Sequence, residues 1–186
     1  MENISQNRSE LFIEISHAFL TLVPALTAAV IILMLGSQVY LAVSAVLLNY
    51  YFALGVGWLT SPWVGLTAGL GPWALILLLV FVAVQSSLFV SVNYDLIERV
   101  PLLGRLVKKT RNKADRVIEK HEMAKKISYV GVFWLTFLPF YGTGPMVMSF
   151  VGRILSLKWW KVWATISISA FTRYSLVVAA VYYGLF

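Results

Sequence analysis

The sequence predicts an all-α, polytopic membrane protein with inverted repeats, each a re-entrant helix-loop-helix plus a transmembrane helix. Three observations carry that expectation. The 80 residues from Ile15 to Tyr94 contain no Asp, Glu, Lys or Arg, whereas a bilayer core, which gives charges no solvation, requires roughly 20 apolar residues per crossing. The 32 residues from Asp95 to Lys126 hold 15 of the chain's 23 charged side chains. A Thr-x-Pro-x-Val pattern occurs at Thr60-Ser61-Pro62-Trp63-Val64 and again 83 residues later at Thr143-Gly144-Pro145-Met146-Val147.

Composition sets the outer limits. At 186 residues and 60% hydrophobic, the chain has room for about four crossings and one polar segment, with no second folded domain outside the membrane. The net charge of +7 comes from basic residues beside apolar spans. Cytoplasmic-loop bias and anionic lipid explain such residues better than nucleic acid, which is not expected as a partner. The chain has no Cys, which excludes disulfides, thiolate chemistry and cysteine metal sites. Its two His residues are far apart and no Ser or Thr of the apolar regions has a base nearby, so neither an enzyme, a metal site nor a cofactor is expected. Met1 to Glu10 lacks the basic start and small-residue cleavage site of a secretory signal and is expected to remain on the mature protein.

Residues 1–186 form a single membrane domain in four parts. The first, 1–37, holds an amphipathic foot and the first span. Glu10 and Glu14 lie four apart on one helical face with His17 about a turn further, a set that can exchange protons near neutral pH or simply sit solvated at the interface. Ala18 to Leu35 is the span, ended by Gly36-Ser37-Gln38.

The first repeat covers 39–94. Val39 to Leu59 is long enough to cross, but Thr60-Ser61-Pro62 interrupts the apolar run and Trp63 to Gly71 is rich in Gly. Interrupted apolar segments of this kind suit re-entrant half-helices; an ordinary crossing is the competing arrangement. Trp73 to Val92 is a full span.

The third part, 95–126, carries ten basic and five acidic residues, so positive-inside bias places it in the cytoplasm. Leu103, Val107, Thr110, Ala114, Val117, His121 and Ala124 recur at spacings of four and three, the period of an amphipathic helix on the inner leaflet. The second repeat, 127–186, opens with Ile127 to Leu138, too short to cross before Pro139 to Pro145 breaks it. Met146 to Leu155 is shorter still, and Trp163 to Tyr183 is the last span. Lys158 and Lys161 should lie on the same side as the basic block, which a segment that enters and leaves by one face satisfies. Run in opposite senses, the two units are inverted, as in many transporters whose sites lie where broken helices meet. Pro at a first helical turn loses no hydrogen bond, and Ser, Thr or Gly suits the preceding cap. Ser61-Pro62 and Gly144-Pro145 therefore each predict a half-helix N-terminus, whose exposed amides attract an anion or a polarised oxygen.

Pro139-Phe140-Tyr141-Gly142-Thr143-Gly144-Pro145 resembles the Pro-Leu-Pro-Gly-Thr-Gly-Ala signature of the small multi-drug export proteins, with a basic Ile118-Glu119-Lys120-type segment upstream. The likeness covers about Thr60 to Tyr183. It departs from the family where Glu-Leu-Arg is usual and this chain has Ser61-Pro62-Trp63, so no role of that Glu or Arg carries over. The layout also resembles the DedA and VTT-domain proteins, which implies paired re-entrant loops and phospholipid or lipid-carrier translocation. Their usual early acidic residues have no counterpart here between Ile15 and Tyr94.

The expected function is transport: export or translocation of a small amphiphilic or anionic substrate across the cell membrane. Arg173, the one charge deep in a span, is the central candidate, because an unpaired Arg there costs roughly 2.5–3.5 kcal/mol. Binding of half-helix carbonyl ends is the alternative role for it. Tyr141, Gly142, Thr143, Gly144 and Pro145 of the second tip, Thr60 and Ser61 of the first, and Gln85 and Ser87 of the third span complete the substrate-binding set. Glu10, Glu14 and His17 are candidates for proton coupling. Arg153, Lys158 and Lys161 are candidates for lipid headgroups. Membrane lipids and a second copy of the chain are the expected partners, because two small units leave a thin wall.

Overall fold

The computed structural model describes residues 21–30, 34, 36–53, 56–94, 122–138 and 144–184. The described residues form seven helices and no strand: α1 (Thr21–Val30), α2 (Ser37–Phe52), α3 (Gly57–Thr67), α4 (Pro72–Val92), α5 (Glu122–Phe137), α6 (Pro145–Ile154) and α7 (Trp159–Tyr182). The predicted amphipathic helix over 95–126 falls almost wholly outside them.

Length separates the helices into two kinds. With 21 and 24 residues, α4 and α7 are long and apolar enough to cross a membrane. At 16 residues each, α2 and α5 reach about 24 Å, short of a hydrocarbon layer roughly 30 Å thick. α3 and α6, with 11 and 10 residues, are shorter again. The order short, shorter, long occurs twice.

The N-terminus of α6 is built as its sequence predicts, with Gly144 extended (φ −64°, ψ 158°) and Pro145 in the first turn. The helix of the first unit is not. α3 begins at Gly57 and runs through Pro62, its sixth residue, so Ser61-Pro62 is no helix start. A proline there removes one backbone bond, and side chains fasten the region instead. The Asn49 amide of α2 reaches the Gly57 carbonyl at 3.2 Å and the hydroxyls of Thr60 and Ser61 at 2.7 and 3.1 Å, while Ser61 Oγ donates to the Gly57 carbonyl at 2.6 Å. α2 and α3 approach so closely that a Cβ on Gly57 would lie 2.1 Å from the Asn49 carbonyl oxygen.

The structural correspondence between the units is therefore offset by 87 residues, not the 83 of the Thr-x-Pro-x-Val match. α3 and α6 end in the same turn. Leu70 N–H donates to the Gly65 carbonyl and Leu157 N–H to the Gly152 carbonyl, at 2.9 and 3.2 Å. Gly69 and Ser156 both take positive φ, +87° and +53°, the left-handed residue that closes a Schellman-type helix end. Ten residues beyond each helical glycine, the next helix packs on it: a Cβ on Gly65 would meet Leu75, and one on Gly152 would meet Val162. At this offset Arg173 corresponds to Ser86, not to Val90.

α7 is the common wall of two buried clusters. Val46, Trp58, Leu75, Leu79, Tyr174 and Val178 join α2, α3, α4 and α7, while Val132, Met148, Leu157, Val162 and Ile166 join α5, α6 and α7. The outer faces stay apolar: Trp73, Leu77, Ile168, Phe171 and Leu176 are all exposed. Contiguous surface of that kind suits lipid and is poorly tolerated by water.

Candidate functional site

The charged residues with described side chains are all cations: Arg153, Lys158, Lys161 and Arg173. Only Arg173 is fully buried, at 2% exposure. Arg173 and Ser169 stand one turn apart on α7 and both face the end of α5. Ser169 Oγ donates to the Phe133 carbonyl at 2.9 Å, and Arg173 Nη1 donates to the Thr136 carbonyl at 2.5 Å. Thr136 is in the last turn of α5, where carbonyls lack intrahelical donors and carry the negative end of the helix dipole. The structure thus gives Arg173 the carbonyl-capping contact weighed above. The predicted meeting of positive helix ends at Ser61 and Gly144 is replaced by one carbonyl end.

That contact does not exhaust the guanidinium. Arg173 Nη2 donates to Tyr174 Oη at 3.1 Å, and the guanidinium carbon lies 4.3 Å from the Trp58 ring centroid and 4.9 Å from that of Tyr174. Ring faces hold a cation without neutralising it. Nε–H, one of five donors, is buried and has no hydrogen-bond partner among the described residues. Arg173 is also one of the residues around a cavity of about 310 Å³, with Leu59 and Trp63 of α3, Phe137 of α5, and Leu176, Val177 and Val181 of α7. Among the described residues, Arg173 supplies its only charged wall. The arrangement sets a desolvated cation, one of whose donors has no partner among the described residues, in the lining of an otherwise apolar space.

The other predicted residues divide into groups. Thr60 and Ser61 turn to Asn49 on α2 and line no part of this cavity. Ser87 is buried at the α4–α6 crossing, its Oγ 2.8 Å from Ser149 Oγ, which also lies 2.7 Å from the Pro145 carbonyl. The Gln85 amide donates to the Thr21 carbonyl and ties α1 to α4. Gly144 and Pro145 start α6 away from the cavity walls. Gly144 has negative φ, and a Cβ there would meet nothing within 4 Å, so the backbone at that point does not require glycine. Tyr141, Gly142, Thr143, Glu10, Glu14 and His17 lie outside the described residues.

The interfacial cations sit where α6 turns into α7. Arg153 donates to the Leu157 carbonyl at 3.2 Å and stacks 5.1 Å from the Tyr94 ring centroid. Lys158 precedes α7 and is exposed, and the Lys161 ammonium lies 5.3 Å from the Trp160 ring. Sequence reasoning missed Trp58, Trp63 and Thr136. A Trp before the interruption of an apolar run could have been paired with the lone span Arg through cation–π attraction. A main-chain carbonyl leaves no trace in residue identity.

No curated protein and no solved structure matches the chain. The family model described as "Putative small multi-drug export protein" matches residues 52–176, a stretch that runs from α3 through the Arg173 turn of α7 and takes in Leu59, Trp63, Phe137, Arg173 and Leu176 of the cavity lining. With that match, and with two of the seven described helices long and apolar enough to cross a membrane, the chain belongs to the small multi-drug export protein family of membrane proteins.

Proposed function

We propose that the protein is a multi-pass transporter that carries a small anionic or amphiphilic substrate across the cell membrane, with Arg173 as its anion contact. The single observation behind this reading is Arg173 itself, 2% exposed, with an Nε–H that has no partner among the described residues and a side chain that helps line a cavity. Burial of such a group is expensive, and a substrate oxyanion would recover that cost only while bound.

The membrane arrangement proposed with it has residues 95–126 in the cytoplasm. α4 then runs inward and α7 outward, while α2–α3 and α5–α6 enter half-way from opposite faces as inverted hairpins. The paired 16-residue and 10- to 11-residue helices support this, because neither member of a pair is long enough to span. In that arrangement the start of α3 and the end of α5 reach the midplane, where Trp58 and Thr136 both touch Arg173. The turn of Lys158 and Lys161 comes back to the cytoplasmic face. The export activity implied by the family name fits a charge placed at mid-depth, the position of highest energy for any anionic solute in hydrocarbon.

The test is flux of anionic amphiphiles in proteoliposomes, run for wild type, Arg173→Lys and Arg173→Gln alongside thermal unfolding. Arg173→Gln is expected to remove most flux while remaining folded. Equal flux per folded molecule in Arg173→Gln would assign Arg173 to α5 capping alone.

A further inference from the structure

We infer that the Arg173 cavity is a station open sideways to the bilayer for an amphiphile with one acidic head group, the acid meeting the guanidinium and the apolar body leaving between α3 and α7. The inference rests on the proposed anion role of Arg173 and specifies the ligand class and its route. The cavity's rim is on the lipid side. Leu59, Trp63 and Leu176 line it and are 37%, 45% and 56% exposed, in contrast to Arg173 at the floor. Arg173, Val177 and Val181 stand four apart on one face of α7, so the apolar wall continues along that helix for two turns from the charge.

The polar inventory separates an amphiphile from a free inorganic anion. Sulfate or phosphate has oxygens on every side, and all need donors when desolvated. Among the described residues around it, Arg173 is the cavity's one charged side chain, and the others are Leu, Val, Phe and Trp. A free tetrahedral anion would press several oxygens against hydrocarbon. A carboxylate or phosphodiester on an apolar body presents its few acceptor oxygens to one fork and its carbon to the walls. One cation also matches one negative charge. Trp63, half-exposed at the rim, offers a flat apolar face on which the body of the ligand can lie.

The full chain is placed in phosphatidylcholine nanodiscs with stearate spin-labelled near its carboxyl, and the motionally restricted fraction is read by electron paramagnetic resonance. Oleate should displace the label, and methyl oleate and inorganic phosphate should not. Arg173→Gln should weaken stearate binding at least tenfold. Leu176→Trp, a change at an exposed site that leaves Arg173 intact, should weaken it at least threefold by filling the opening. Spin-labelled phosphatidylglycerol in a parallel arm distinguishes the sources: restriction of both labels assigns the ligand to acidic bilayer lipid, and restriction of stearate alone to a single-chain amphiphile. Displacement by inorganic phosphate would leave Arg173 an anion contact but overturn the lateral amphiphile. Displacement by methyl oleate as effective as by oleate, or an unchanged Leu176→Trp, would overturn it as well. Binding that is unaffected in a folded Arg173→Gln would remove both the station and the anion role beneath it. If Arg173→Gln does not fold, the ester comparison and Leu176→Trp decide.

Discussion

Arg173 is held by two unlike contacts beside a donor left over, and each responds differently to substitution. Its bond to the Thr136 carbonyl is directional, its stacking on Trp58 is not, and its Nε–H is unused. Lysine keeps the charge but loses the fork that can grip a carbonyl and a ligand at once. Arg173→Lys is therefore expected to weaken anionic ligand binding by about tenfold, near 1.4 kcal/mol, with little change in thermal midpoint. Binding as tight as wild type, measured by titration of the purified protein, would mean charge alone suffices. Trp58→Leu removes the nearer ring face, a contact worth roughly 2 kcal/mol when desolvated, and should lower the thermal midpoint in detergent while leaving the chain folded. A midpoint equal to wild type would show that neither the packing of the ring nor its face on the guanidinium stabilises the fold.

At the scale of elements, the close approaches of α2 to α3, α3 to α4 and α6 to α7 rest on positions where side chains do not fit. A Cβ on Gly57 would meet main-chain carbonyls of α2, which cannot swing aside. A Cβ on Gly152 would lie 2.8 Å from Val162, a β-branched side chain with a fixed rotamer in its helix, whereas the tip of Leu75 facing Gly65 has more freedom to move. The expected order of damage is Gly57→Ala first, then Gly152→Ala, then Gly65→Ala. Overpacking of this kind costs about 1–3 kcal/mol, while Gly144→Ala, facing open space, should be near neutral. Thermal unfolding of the four variants checks the order. Val162→Ala should restore part of the loss in Gly152→Ala, and absence of any rescue would place the fault elsewhere.

Over the whole molecule, the prediction is topological. The chain has no Cys, so single cysteines report location without background. Position 69, in the α3–α4 turn, should react with an impermeant maleimide from outside intact cells. Positions 110 and 156 should react only after the membrane is opened. Labelling of 69 and 156 from the same side would contradict opposed hairpins, and labelling of 110 from outside would reverse the orientation. The 87-residue correspondence of the two turns is one helical device used twice: each turn closes a short helix and launches a long one.

Charge segregation determined by sequence alone that this is a helical membrane protein, since 80 uncharged residues have no economical place in water. Pro145 and its preceding glycine likewise marked the start of α6, because a ring without an N–H fits a first turn with no loss. The same grammar failed at Pro62, where the Asn49 clasp and the fit of Gly57 against α2 outweigh one missing backbone bond; those contacts join residues eight to twelve apart across a turn and have no local signature. Arg173 was legible as the odd charge in a span. Its partners were not, because Trp58 and the Thr136 carbonyl come from helices far away in the chain, and their meeting is fixed only when α3, α5 and α7 pack around it.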